Sequence, residues 1–283
     1  GASDAKAPLI AMLFAAAAIQ NNNGTYTWGE GNIDADPRFI DAENNNYNLF
    51  ASSRLINAGD PNLTDSDGSR SDIGAYPYLN YYVGGAGWSV SADTGDDIAG
   101  TGDPNGTPFA TIQAGLNFAR NDQTVNVENG IYYELGGDVF TNNAGQEELA
   151  HVIWPDSTYK KGVQLLGEDS ENTIIDGNDL YRVFTLIGDV WDHNNISISD
   201  LLITNGHNVI PYPSGNGNGG GGILAEGVNL ILDNVIITEN TVSGGQGQGS
   251  GAIQIYYSDA IIRNSLIYNN HNTTEGWGEY KHG

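Results

Sequence analysis

Gly221-Gly222-Ile223, followed by Leu230-Ile231-Leu232-Asp233-Asn234-Val235-Ile236-Ile237-Thr238-Glu239-Asn240, sets a grammar that the chain repeats. The next copy reads Gly251-Ala252-Ile253, then Ala260-Ile261-Ile262-Arg263-Asn264-Ser265-Leu266-Ile267-Tyr268-Asn269-Asn270. Asn234 to Asn264 is 30 residues, and so is Asn240 to Asn270. A looser copy, Ile196-Ser197-Ile198-Ser199-Asp200-Leu201-Leu202-Ile203-Thr204-Asn205-Gly206, lies 34 residues before the middle one. A fixed period of this size, made of short β-rich runs without a helix-length pattern, predicts a stacked solenoid.

The residue types within one copy follow from that geometry. Ile196/Ile198, Leu230/Leu232 and Ile261 are read as the buried face of a strand, at alternate positions. Asp200, Asn234 and Asn264 fall where the chain must bend. Asn tolerates the left-handed backbone of a tight corner, and its side chain bonds neighbouring backbone. Stacked coils lie about 4.8 Å apart, so the corner residues are expected to form a ladder of amide hydrogen bonds.

Composition narrows the class. The 283 residues include 39 Gly, one Met and no cysteine, so any stability outside a cell comes from backbone ladders and packing rather than disulfides. A formal charge of −25, from 35 acidic and 10 basic residues, repels phosphate backbones and argues against a nucleic-acid partner. It also opposes unaided binding of polyuronates, and it suits a salty habitat, calcium sites or simple solubility. The apolar run from Ala7 to Ile19 is too short to span a bilayer and lacks the basic leader of a signal peptide. It reads instead as part of a degraded coil, Pro8 to Asn23, without the Asn corner.

Residues 31–80 form a separate block. It contains Gly31-Asn32-Ile33-Asp34-Ala35-Asp36-Pro37-Arg38-Phe39, Leu55-Ile56-Asn57-Ala58-Gly59-Asp60 and Asp65-Ser66-Asp67-Gly68-Ser69-Arg70-Ser71-Asp72-Ile73-Gly74-Ala75-Tyr76. This block resembles the closing segment of bacterial right-handed parallel β-helix proteins, the pectate-lyase-like superfamily, including those with a choice-of-anchor tail. Residues 81–123, with Ser89-Val90-Ser91-Ala92-Asp93-Thr94-Gly95-Asp96-Asp97 and Thr107-Pro108-Phe109-Ala110-Thr111-Ile112-Gln113, resemble the opening segment of the same superfamily. Phe109, Ile112, Leu116 and Ala119 predict one amphipathic helix, over 109–120, lying across the first coil. Strands are expected at Thr124–Val127, Gly130–Glu134, Val163–Gly167, Thr173–Gly177 and Val183–Leu186. The fold class expected is all-β: a right-handed parallel β-helix with one short capping helix and a loop-rich closing segment. It divides into a joining segment (1–30), a closing segment (31–80), an opening segment (81–123) and coils (124–283).

A closing segment that precedes an opening one is an unusual order. It fits a piece of a tandem array, a circular permutation, or head-to-tail assembly of copies. An uncapped solenoid end exposes apolar core and unpaired backbone, so the Tyr268–Gly283 end is expected to contact residues 1–30, within one chain or between chains.

Asp65, Asp67 and Asp72, with Asp60 nearby, put hard oxygen donors around a glycine turn and are the candidate calcium ligands. Arg70 within the same loop offers the other reading, an ion-paired clasp. Asp93, Asp96 and Asp97 form a weaker acidic group that ordinary turn chemistry also explains. The glycine-rich stretches Ser214–Gly222 and Ser243–Gly251 follow equivalent turns and are expected on one side of the stack, where Tyr212, Tyr256, Tyr257 and Trp277 would serve as platforms for sugar rings. Lyases of the superfamily need a base and a group that neutralises a uronate carboxylate. Lys160, Lys161, Arg182, His193, His207, Arg263 and His271 are the cations and imidazoles available, with no spacing that joins them. The expected function is a non-catalytic extracellular or cell-surface bacterial protein, adhesin-like or structural, assembling head to tail into a filament. The alternative is a polysaccharide lyase or a carbohydrate-binding module acting on acidic polysaccharide. Polysaccharide or further copies of the chain are thus the partners implied, with calcium as the one ion.

Overall fold

A computed structural model describes residues 35–133, 138–141, 147–154, 160–188, 193–210, 219–244 and 249–273. Two short antiparallel strands come first, β1 (Phe39–Asp41) and β2 (Asn46–Leu49). Then follow β3 (Trp88–Val90), the helix α1 (Ile112–Phe118), β4 (Thr124–Val127), β5 (Gly130–Tyr132), and a hairpin of β6 (Asp138–Thr141) with β7 (Glu147–Ile153). The regular coils begin with β8 (Gln164–Gly167), β9 (Thr173–Asp176) and β10 (Arg182–Ile187). The next contains β11 (Asn194–Thr204), β12 (His207–Ile210) and β13 (Ile223–Glu226). Above it lie β14 (Val228–Thr238), β15 (Thr241–Gly244) and β16 (Ile253–Tyr256), then β17 (Asp259–Arg263), β18 (Leu266–Tyr268) and β19 (His271–Asn272).

These strands stack in parallel into walls. One wall runs β3-β4-β8-β11-β14-β17, continued around a bend by β5, β9 and β18; others run β7-β10-β13-β16 and β12-β15-β19. The result is a β-solenoid of about four turns, as the repeat predicts. Leu230 pairs with Ile196 below it and Ala260 above it, and Leu232 with Ile198 and Ile262. Ile196, Ile198, Leu230 and Leu232 are buried inside. Ile261 is not part of that inner column: it pairs with Ile231 and faces outward, because the register aligns Ala260 and Ile262 with the buried pair.

In the coils of β11, β14 and β17 two successive bends use left-handed backbone. Asp200, Asn234 and Asn264 have φ of 56°, 53° and 54°, and Asn264 sits in register above Asn234. A second corner five residues on, Asn205, Glu239 and Asn269, has φ of 52°, 56° and 52°. Short polar side chains tolerate this conformation better than others. The expected ladder of corner amides forms only in part. Asn234 Nδ2 donates to Asp200 Oδ1 at 2.7 Å, but Asn264 Nδ2 donates to Asp233 Oδ1 at 2.8 Å rather than to Asn234.

The helix is shorter than its apolar spacing predicts. Thr111 accepts from Ala114 N–H as the N-cap, Ala119 leaves helical geometry, and Phe109 instead pairs with Val90 beside the first strand. All seven helical residues are buried, including the polar Gln113 and Asn117. One side of α1 lies on the first coils, and the opposite side carries residues 35–80. Asn117 Nδ2 donates to the carbonyls of Ala51 and Ser53 at 3.0 and 2.8 Å, and the Tyr78 ring lies 5.4 Å from Phe118. Leu49, Ala51, Leu55 and Ile56 join the same apolar core as Trp88, Phe109 and Val125. The block that resembles a closing segment therefore covers the opening end of these coils. The expected contact between 268–283 and 1–30 falls on residues 1–34 and 274–283, outside the described residues.

Candidate functional site

The acidic loop is a knot of carboxylates bonded to backbone. Asp65 Oδ2 accepts from Asp72 N–H at 2.9 Å. Asp67 accepts from Ser69 N–H and Oγ at 2.9 and 2.6 Å through one oxygen, and from Asn80 N–H at 2.7 Å through the other. Asp72 accepts from Asn57 N–H and Tyr78 N–H, both at 2.7 Å. Arg70 donates to the carbonyls of Gly59 and Ala58. This is the wiring of a clasp that joins 57–60 to 65–80. Among the described residues no group of three or more His, Cys, Asp or Glu side chains is placed to hold a metal ion. N–H groups engage Asp65 Oδ2 and both oxygens of Asp67 and of Asp72, so these carboxylates serve the loop's own backbone.

The charges in that knot are unequal. Burial, reinforced by the neighbouring Asp65 and Asp67 charges, raises Asp72 to about 6 against the opposing N–H donors. Burial also acts on Asp67, but hydrogen bonds from Ser69 and Asn80 outweigh it and hold that carboxyl below its ordinary value. Asp97 has a similar structural post at the helix start. It accepts from Ala110 N–H, Thr111 N–H and Thr111 Oγ1, and its pKa is raised chiefly by burial. Asp93 and Asp96 do not join it in a ligand cluster; Asp96 caps the turn at Ile98.

Basic side chains are likewise committed to the fold. Lys160 Nζ donates to the carbonyls of Leu116, Asn117 and Ala119, closing the C-terminal end of α1. Burial, helped by Arg120 and Arg70, lowers its pKa to about 7. The buried Arg182 guanidinium donates to Gly220 and Gly219 carbonyls at 2.7 and 3.1 Å. Arg263 pairs with Asp233 at 2.8 Å on the outer wall, and His271 lies 3.7 Å from Glu239. Arg263 and His271 thus face different acids and do not converge. His207 Nε2 lies 2.7 Å from Ser243 Oγ, with Nδ1 3.3 Å from the Asp179 carbonyl, so this imidazole ties three neighbouring coils together.

Among the aromatic candidates, Tyr256 and Tyr257 lie at the end of β16. Their rings meet edge to face with centroids 5.1 Å apart, and they are 46% and 68% exposed. Left-handed backbone at Tyr257 (φ 46°) turns the second ring out beside the first. Tyr212 and Trp277 lie outside the described residues. Of the two glycine-rich stretches, 214–218 and 245–248 lie outside the described residues, and the described glycines at 219–222 are packed between coils. Gly220 N–H and Gly221 N–H donate to the Ser250 and Gly251 carbonyls of the next coil, and Gly219–Gly222 are buried.

Among the described residues, one well-bonded polar group of the interior shows in the sequence only as a spacing. Asn240 is fully buried. Its Oδ1 accepts from Gly206 N–H at 2.8 Å, while Nδ2 donates to the Ile203 and Thr238 carbonyls at 3.1 and 2.9 Å. The spacing from Asn240 to Asn270 was the available signal; the apolar columns around it gave no hint that the amide points inward. Among the described residues no helix is long and apolar enough to cross a membrane. Comparisons with family models, with curated proteins and with solved structures return no match.

Proposed function

We propose that this chain is a non-catalytic extracellular or cell-surface bacterial protein, an adhesin-like or structural rod of the pectate-lyase-like kind. The observation that carries this reading is the use of its cations. A uronate lyase needs a base and a positive group facing substrate, whereas Lys160, Arg182 and Arg70 are turned onto backbone carbonyls and Arg263 onto Asp233. The acidic surface supports the same reading, since a charge of −25 repels polyuronates. Incubation with alginate, pectate and sulfated glycans tests it. No unsaturated product absorbing in the ultraviolet is expected; sustained release of such products overturns the proposal.

One observation favours a second reading, a carbohydrate-binding module. The exposed edge-to-face pair Tyr256–Tyr257 offers an apolar ring surface of the kind that sugars stack on. Neutral glycans suit it better than acidic ones, given the surrounding charge. Binding of a neutral oligosaccharide that Tyr257→Ala abolishes would establish this reading.

A further inference from the structure

His207 and Ser243 meet on the outer face of the wall β12-β15-β19. Parallel pairing sets His207 beside Thr241 and Val209 beside Ser243, so Ser243 stands diagonally above His207 on the next coil. The alternate residues Asn208, Ile210 and Val242 are buried, which leaves His207 and Ser243 on the outward side of their strands. An imidazole spans that diagonal, and Nε2 reaches Ser243 Oγ at 2.7 Å, although 36 residues separate the two in the chain. On the side of the coil below, Nδ1 lies 3.3 Å from the Asp179 carbonyl. A carbonyl oxygen only accepts, so Nδ1 carries the proton of the neutral ring. Nε2 is left with its lone pair, and the short contact is Ser243 Oγ–H donating to it. The residues beside the hydroxyl are open: Val209 is 58% exposed, and Gly244 is exposed too.

We propose that Ser243 is a nucleophile with His207 as its general base, and that it accepts an acyl group from an uncharged carboxylic ester. The parts that such a step needs are together: a hydroxyl, a base within hydrogen-bond reach of its proton, and a third group that holds the base in the right tautomer. Ser243 Oγ attacks the ester carbonyl carbon as its proton passes to Nε2. The bond from that carbon to the alcohol oxygen then breaks, and the departing oxygen takes the proton from Nε2. The imidazole returns to its neutral form. One alcohol leaves, and one acyl ester stays on Ser243 Oγ. A chain charge of −25 favours an uncharged ester over an anionic one. One acylation per chain is a modification and not turnover, so it stands apart from the question of polysaccharide cleavage or binding.

p-Nitrophenyl acetate tests it on the full 283-residue chain. The wild type is expected to release about one equivalent of p-nitrophenol per chain in a burst, and mass spectrometry should find the acetyl group on the peptide that holds Ser243. Ser243→Ala should abolish both signals. His207→Gln should slow the acylation by at least about a hundredfold. Asp179→Asn should leave it unchanged, because that residue lends only its backbone carbonyl. His271→Gln removes an imidazole that faces Glu239 instead and should also leave it unchanged. Circular dichroism checks that each variant is folded. Should His207→Gln fail to fold, the position of the label in the wild type and its loss in Ser243→Ala decide alone. Acetyl groups spread over lysines and tyrosines with Ser243 unmodified overturn the proposal. So does a Ser243→Ala variant, or a folded His207→Gln, that reacts like the wild type, and so does a loss of reaction in Asp179→Asn or His271→Gln.

Discussion

Asn270 stands one rung above Asn240, accepts from its Nδ2 at 3.0 Å, and otherwise repeats its pattern of bonds. Asn270 Oδ1 accepts the backbone N–H of Asn240 at 3.0 Å, as Asn240 Oδ1 accepts that of Gly206 at 2.8 Å. Each Nδ2 donates to one carbonyl of the coil below and one of the strand just left: Ile203 and Thr238 for Asn240, Ile237 and Tyr268 for Asn270. The amide satisfies backbone groups that the second corner of each coil would otherwise bury without a partner. Asn240→Ala is expected to destabilise the fold by about 3 kcal/mol, since several buried groups lose their partner at once. Asn234→Gly, at an exposed left-handed corner, should change stability by less than about 1 kcal/mol. Urea denaturation of the two variants checks the contrast.

Gly115 provides a prediction in which two rules oppose each other. Ala is the better helix former by about 1 kcal/mol, yet a Cβ at Gly115 would lie 2.6 Å from Val125 Cγ1 and 2.8 Å from Val90 Cγ2. The helix lies too close to the first coil to admit a methyl group. Gly115→Ala should therefore lose about 1–3 kcal/mol, and a stabilised variant in the same urea experiment would show that the helix can lift.

Asp72 should leave a mark on the acid side. Its folded pKa of about 6 exceeds its ordinary 3.8, so between those values the folded chain holds more protons than the unfolded one. Its contribution is complete below about pH 3.8 and is lost as pH rises through about 6. Asp72→Asn removes this slope, although it also disturbs one of the two N–H bonds. Wild-type stability relative to the variant should fall between pH 4 and pH 6.5; a constant difference across that window refutes the assignment.

Lys160 predicts the opposite slope at higher pH. Its folded pKa of about 7 lies below its ordinary 10.5, so across that interval the unfolded chain holds more protons and stability rises with pH. Thermal unfolding of wild type and Lys160→Met should therefore diverge in favour of wild type from pH 7 to pH 10. The carbonyls of Leu116, Asn117 and Ala119, left without this donor, set the cost at every pH.

Calcium separates the two readings of the Asp65–Asp72 loop. A ligand at 100 times its Kd stabilises a fold by about 2.7 kcal/mol. With the carboxylates engaged by N–H groups, melting temperatures in millimolar calcium and in chelator should agree within about a degree. A clear rise with calcium, lost in Asp67→Asn, would show that the loop reorganises around the ion.

The coils were legible in the sequence because side-chain alternation and the 30-residue spacing are local properties of each strand. Leu230, Leu232, Asn234 and Asn264 fall where the pattern places them. Ile261-Ile262 offers two adjacent apolar residues, and only the register with Leu230 and Leu232 shows that Ile262, not Ile261, faces inward. The helix α1 is shorter than its apolar spacing suggests for a related reason. Phe109 is as buried as a helical face requires, but it reaches the core from a bridge beside Val90. The acidic loop was ambiguous because a carboxylate that caps N–H groups and one that binds calcium carry the same letter. Their difference lies in partners up to 15 residues away, as for Asp72 and Asn57. Lys160 at the helix end depends on a contact across more than 40 residues, which no spacing announces.

The position of α1 has a consequence for how the rod comes apart. Seven residues cannot hold a helix alone in water, so its amide protons should exchange only when 35–80, Lys160 and the first coil let go together. Among the described residues, β17 and β18 are exposed throughout and pair with β14 alone. Deuterium should therefore enter their amides well before those of α1, which are locked from two sides at once.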